Sequence, residues 1–345
     1  MTKLFLALIP VLLAASAFSQ EVTLRLHHFL APNSPTQQGY LEPWAERVEQ
    51  ASDGRIEVEI YPSMQLGGAA PSLIDQVEDG VVDLVWTLPG YTAGRFPISE
   101  AFELPFMSGL AVHSSQALCE FFEMHLQDEY ESVRVITLHT AGHGILHVKG
   151  RAVTSLEDLR GLQIRAPNRI TAEALAALGA QPIGMPVPQV PESLVHGVID
   201  GTLLPWEVTV PLRIAELVDS HTTFDSPHGF YSSIFLLAMN RQSYERLPDD
   251  LKPAIDANSM AAGCDEARIA GASVDAADLV GEALAREQGN AVHVIPRDRV
   301  KEWQDGVRPV IDSWVEMMDR AGLDGEVILQ DARDLVAKYE GAAAN

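Results

Sequence analysis

Cysteine, basic residues and long apolar runs are all scarce in this chain. Cysteine occurs twice in 345 residues, at Cys119 and Cys264. Two thiols with no CxxC and no Cys/His finger spacing exclude a structural zinc module and a disulfide-stapled miniprotein. Spacing alone leaves open whether they pair or stay buried as free thiols. Lysine and arginine total 24 against 48 aspartates and glutamates, a formal charge of −24. That balance speaks against nucleic acid or an anionic membrane surface as a partner. Beyond the first twenty residues no apolar run approaches the roughly 20 residues of a spanning helix. Common catalytic patterns are missing as well: there is no GxSxG elbow, no HExxH, no Walker loop and no GxGxxG after a strand. These absences point away from an enzyme, and no cofactor or metal is expected.

What is present begins with an export signal. "MTK" supplies a lysine, "LFLALIPVLLAASA" an apolar run, and "ASAFSQE" the small residues of a cleavage site near Ala17 or Ser19. Residues 1–19 are therefore expected to be a signal peptide that delivers the mature chain to the periplasm. An uncleaved anchor is the alternative, but the run is short for one.

The remaining length suits two domains. "EVTLRLHHF", "RIEVEIYP" and "VVDLVWTLP" read as strands separated by the helices "TQQGYLEPWAERVEQASDG" and "PSLIDQVEDG", a βαβαβ pattern that predicts a parallel sheet. The style repeats after residue 130. "GVVDL" at 80–84 and "GVIDG" at 197–201 both follow a helix and lead to a tryptophan, Trp86 or Trp206. Such an echo arises by chance at αβ junctions, or marks two similar lobes. The expected fold is α/β with two lobes, a periplasmic-binding-protein architecture whose ligand cleft lies between lobes joined by crossing strands. The crossings are "HTAGHGILHVKG" at 139–150 and "GFYSSIFLLAMNRQSYERLP" at 229–248, the latter read as one long returning strand. The first lobe is then 20–142 plus 232–275, the second 143–231 plus 276–325, and 326–345 forms a C-terminal helix and tail.

One stretch, "GLQIRAPNRI" at 161–170, sets a permanent cation at the tip of a strand. Leu162, Ile164 and Ala166 share one face, Gln163 and Arg165 the other. Pro167 ends the strand and Asn168 is placed to cap the helix "RITAEALAAL".

Taken in order, "YPSMQLGG" (61–68), "DGVVDLVW" (79–86), "ELPFM" (103–107), "SLEDLRGLQIRAPN" (155–168), "GMPVPQVPESLVHGVIDG" (184–201) and "MNRQSYERLPDDLKPAI" (239–255) resemble the solute-binding proteins of tripartite ATP-independent periplasmic (TRAP) transporters, the DctP-like family. The resemblance runs over nearly the whole mature chain. It implies that Arg165 grips a ligand carboxylate, for which a planar fork of N–H donors is suited. The competing role for Arg165 is a salt bridge to a cleft carboxylate such as Glu207. The resemblance further implies a small organic acid as ligand, the membrane permease subunits of a TRAP system as partners, a monomeric protein and no nucleic acid.

Sialic-acid-binding members of that family carry polar residues at places where this chain has Phe29, Leu88, Ile145 and Leu204. Apolar walls would desolvate sugar hydroxyls without pairing them, at roughly 1–3 kcal/mol each. The expected ligand is thus a weakly hydroxylated monocarboxylate, aromatic or branched. Trp86, Tyr91 and Trp206 are candidates to stack on it, with Phe29 and Phe230 behind them; ordinary lobe packing is the other role open to each. Arg95 is read as structural.

His139, His143 and His147 recur every four residues, but Gly142 and Gly144 argue against a helix, and in an extended segment neighbours would lie about 13 Å apart, too far for one zinc. His143 and His147 are candidate hydrogen-bond donors to the ligand, and one of His27 and His28 is expected to face the cleft. The rival to transport is an extracytoplasmic module that senses a ligand for a receptor.

Overall fold

The computed structural model describes residues 20–343, so the signal-peptide reading lies outside the described residues. Eleven strands build two sheets among the described residues. In chain order they are β1 (Val22–His28), β2 (Ile56–Tyr61), β3 (Leu84–Thr87), β4 (Arg134–Thr140), β5 (Ile145–Val148), β6 (Gln163–Ala166), β7 (Gln181–Gly184), β8 (Gly201–Leu204), β9 (Ser220–Phe224), β10 (Ile234–Met239) and β11 (Ala291–Ile295). The first sheet has the order β2-β1-β3-β10-β4, the second β11-β9-β5-β8-β6-β7. The protein is α/β and two-lobed, one sheet to each lobe.

Each sheet is parallel with one strand reversed: β10 runs antiparallel to β3 and β4, and β5 to β8 and β9. The reversed strands, β5 and β10, are the first to follow each of the two crossings. Helices cover both faces, which is why central strands such as β10, "IFLLAM", are apolar at every position and wholly buried. The sequence echo falls at equivalent places, with Gly80 and Gly197 both at φ 69° in the turns that lead to β3 and β8, one per lobe.

Two segments pass between the sheets side by side. Ala141 N–H donates to the Ser233 carbonyl at 2.8 Å and Gly144 N–H to the Tyr231 carbonyl at 3.0 Å. Residues 229–233 are therefore not part of the single long strand expected over 229–248: Gly229 bonds Phe106 and Ser108, Tyr231 and Ser233 bond the other crossing, and the ladder starts at Ile234. The helix Asp265–Glu287 packs on the helix Ala111–Phe121 and β4 in the first lobe and on the turn Trp206–Val208 and β11 in the second. Cys119 and Cys264 form a disulfide with 5.6 Å between Cα atoms, which settles their pairing and ties the helix Ala111–Phe121 to the start of Asp265–Glu287. The helix Gly325–Ala343 closes over the first lobe against Ala111–Phe121 and Arg297–Arg320. No helix among the described residues is long and apolar enough to cross a membrane.

Candidate functional site

The carboxyl ends of β1, β3, β6 and β8 converge on one cavity with an empty volume of about 350 Å³. This is where open α/β sheets bind ligands. The first lobe supplies Phe29, Leu30, Trp86, Leu88, Tyr91 and Phe235. The second supplies Arg165, Pro167, Val187, Leu204, Pro205 and Val208, and the crossings supply Ala141, Tyr231 and Ser233.

Arg165 is the one charged group in this lining, and it is only 2% exposed. Its Nε donates to the Met185 carbonyl at 2.9 Å and its Nη1 to the Leu203 carbonyl at 3.0 Å. Main-chain oxygens fix its direction without cancelling its charge. No carboxylate among the described residues pairs with it. Glu207, the sequence alternative, is turned elsewhere: its Oε2 accepts from Thr36 Oγ1 at 3.1 Å, and burial pushes its carboxyl up to about 7. A buried cation without a counter-ion is costly, so this arrangement can take up an anion with two fork donors poised.

Around the cation the walls are aromatic. Trp86 stacks on Phe235 with centroids 4.6 Å apart, and Phe29 sits 5.3 Å from Trp86 and 5.6 Å from Tyr91. The Trp86 indole N–H is spent on His139 Nε2 at 3.1 Å. His139 Nδ1 is 3.2 Å from the Thr140 carbonyl, and burial pushes the ring down to about 4, so the histidine is neutral and accepts from the indole. What Trp86 contributes to the cavity is ring surface.

Three residue pairs join the lobes around this space. Tyr91 Oη accepts from Val187 N–H at 3.0 Å. Thr36 bonds Glu207 as above. Arg169 holds Glu100 with Nε and Nη2.

Of the residues singled out from the sequence, the cavity brings together Arg165, Trp86, Tyr91, Phe29, Leu88 and Leu204. It does not include Trp206, His143 or His147. Trp206 lies past Pro205 and packs on His147 and His221, 5.1 and 4.8 Å away. His147 is fully buried, with Nε2 on the Leu204 carbonyl at 3.1 Å and Nδ1 on His221 Nδ1 at 2.6 Å, so it stands behind the wall. His143 packs its Cα against Gly229. Ile145 clusters with Trp206, and Phe230 with Phe106, Phe224 and Trp303. His27 and His28 do not line the cavity either, because they bond Gln76 and Gln37. Arg95 pairs with Asp75 and Glu78. No group of three or more His, Cys, Asp or Glu residues able to hold a metal exists among the described residues.

The sequence reading missed Tyr231, Ser233 and Phe235, which reach the cavity only because the two crossings pair. It also missed Pro167 and Pro205. Those two had a signal: each directly follows the last residue of a parallel strand, as "RAP" and "LLP".

Comparison with known proteins gives a consistent picture. Residues 26–317 match the family described as bacterial extracellular solute-binding protein, family 7. The chain is 41% identical to a TRAP solute-binding protein from Rhodoferax ferrireducens solved with copurified benzoate, covering 93% of this chain and 99% of that one with a TM-score of 0.90. It is 40% identical to a marine metagenome TRAP solute-binding protein specific for aromatic acid ligands, solved with 3-hydroxybenzoate, at a TM-score of 0.90 and coverage of 93% and 99%. A TRAP periplasmic solute-binding protein from Bordetella bronchiseptica, solved with (R)- and (S)-mandelate, is 26% identical at a TM-score of 0.85, with 92% and 99% covered.

Proposed function

The chain belongs to the bacterial extracellular solute-binding proteins of family 7, which serve TRAP transport in the periplasm, and we propose that its ligand is a small aromatic monocarboxylate held by Arg165. The observation that carries this reading is a buried guanidinium with no carboxylate partner, set in a cavity whose other walls are apolar and largely aromatic. One carboxylate would receive charge-assisted bonds from the fork, and one ring would lie against Trp86, Phe29 or Phe235. The relatives solved with benzoate and 3-hydroxybenzoate support the ligand class.

The role is binding rather than catalysis. We place the lobe boundaries within the two crossings, near residues 142 and 232, so that the paired segments act as the hinge. A ligand touching both lobes favours the state in which they meet, and shifts the opening equilibrium by its differential affinity. The closed protein then hands the acid to the membrane permease components with which TRAP solute-binding proteins work.

A thermal-shift series tests the ligand class. Benzoate, 3-hydroxybenzoate and mandelate are expected to stabilise the protein, by about 2.7 kcal/mol at 100 times the dissociation constant. Glucuronate and succinate are expected to do little, because the lining offers one cation and only the hydroxyls of Tyr91, Tyr231 and Ser233, too few for a sugar's hydroxyls or a second carboxylate. Stabilisation by glucuronate with none from the aromatic acids would refute the reading.

A further inference from the structure

Tyr91 stands between two spaces. It lies in the short 3-10 turn Pro89–Tyr91 of the first lobe. With Pro167 it lines both the inner cavity and a more open cleft of about 730 Å³ bounded by Gly90, Asn168 and Met185. The two residues are therefore the partition between the binding space and the outside. Pro167 is fixed in the main chain after β6, whereas the Tyr91 ring is held by its contact with Phe29 and by the bond from Val187 N–H to its oxygen.

That bond decides where the phenolic proton goes. A tyrosine hydroxyl donates one hydrogen bond and accepts others. The Tyr91 oxygen already accepts from the second lobe, its next neighbour is the donor-only guanidinium of Arg165, and no acceptor among the described residues takes its proton. The O–H is left to an acceptor in the inner cavity, beside the same guanidinium.

We propose that Tyr91 is the residue that converts ligand charge into lobe closure, through the chain Val187 N–H to Tyr91 O–H to ligand carboxylate. This rests on the reading of the cavity as a carboxylate site. A carboxylate accepting the phenolic proton makes the Tyr91 oxygen a better acceptor, so the Val187 bond across the gap strengthens when an anion is bound. A neutral ligand of the same shape gives no such polarisation. Charge recognition and closure of the partition are thus one event, and the effect falls on release rather than capture.

The test uses benzoate and its neutral isostere benzamide, with association and dissociation rates followed by the fluorescence of Trp86 and its neighbours. Tyr91→Phe removes one oxygen and keeps the ring; its unliganded melting curve verifies the fold. The variant is expected to release benzoate at least tenfold faster with association changed less than threefold, and to release benzamide within twofold of the parent rate. Equal acceleration for both ligands would reduce Tyr91 to a packing role, and no acceleration for either would remove it from the mechanism; each result overturns the proposal. The unaltered protein supplies an independent check: it is expected to release benzamide at least tenfold faster than benzoate, and equal rates would overturn the proposal without any variant. A parent protein that binds neither compound would instead refute the aromatic-carboxylate reading itself.

Discussion

Arg165 Nη1 lies 3.0 Å from the main-chain oxygen of Leu203, so the strand next to β6 holds the guanidinium by a neutral acceptor. With Nε bound to Met185, two of its five N–H groups are used for aim and the charge is left intact. Lysine cannot reproduce this, since its donors radiate from one point and would have to choose between the carbonyls and the ligand. Arg165→Lys is expected to weaken benzoate binding about 100-fold, about 2.7 kcal/mol, with the loss read by calorimetric titration. Normal affinity in this variant would mean that the fork is not the recognition element.

Buried carboxyl groups give the stability an unusual slope with pH. Burial raises Glu103 to about 8 and Glu129 and Glu207 to about 7, while His28, His139 and His221 are lowered to about 4. Between about pH 4 and 6.5 the unfolded histidines bind protons that the native ones refuse, so stability rises with pH; the carboxyl groups oppose this. Above pH 6.5 the histidines are neutral in both states and only the carboxyl groups act. The native state then holds protons the unfolded chain has lost, and stability falls as pH rises toward 8, on the order of 1.4 kcal/mol per pH unit for each group while it titrates. Urea denaturation at pH 6.5 and 8.5 measures the fall. Glu103→Gln, which keeps an acceptor for Ile234 N–H, is expected to lose clearly less than the parent over that interval.

Much of this was written locally in the sequence. The alternation in β1, β2 and β6 and the Asn168 cap, which accepts from Thr171 N–H at 2.8 Å, depend on a few neighbouring residues, and these were readable. Arg165 drew notice because a cation contradicts its apolar strand. The far wall was not readable, because Tyr231 and Phe235 lie more than sixty residues from Arg165 in sequence and reach it only through the paired crossings. His147 and Trp206 misled for a related reason. The register of β5 with β9 sets His147 opposite His221, and Trp206 follows Pro205, which turns it onto that pair, whereas Trp86 remains within β3. Periodicity supplies a face but not the strand that will cover it.

The disulfide spans 145 residues of sequence and joins helices that pack on each other. A cross-link closing so long a loop removes much freedom from the unfolded chain, with an effect of about 2–5 kcal/mol. Reduction, or the Cys119→Ala/Cys264→Ala double variant, is expected to lower the melting temperature by at least about 5 °C while leaving benzoate binding within threefold at 25 °C, because neither cysteine lines the cavity. A melting temperature indifferent to reductant, once thiol titration shows both sulfurs free, would contradict this.

Gly144 lets the crossings come together, and its lack of a side chain matters there. A Cβ at this position would stand 1.9 Å from Cε1 and 2.0 Å from Cδ1 of Tyr231. The ring cannot withdraw easily: it is buried, and the Tyr231 carbonyl receives the Gly144 N–H itself. The main freedom left to it is toward the cavity it lines. Gly144→Ala is therefore expected to destabilise the protein by about 1–3 kcal/mol and to weaken benzoate binding at least tenfold, two effects measured by thermal melting and titration. Gly184→Ala is the control, since a Cβ there meets nothing within 4 Å, and it should shift stability by less than about 0.5 kcal/mol. Overpacking at a distant site would cost stability alone. Loss of affinity with stability, confined to the residue 144 variant, is the signature of a crossing whose packing also shapes the ligand space.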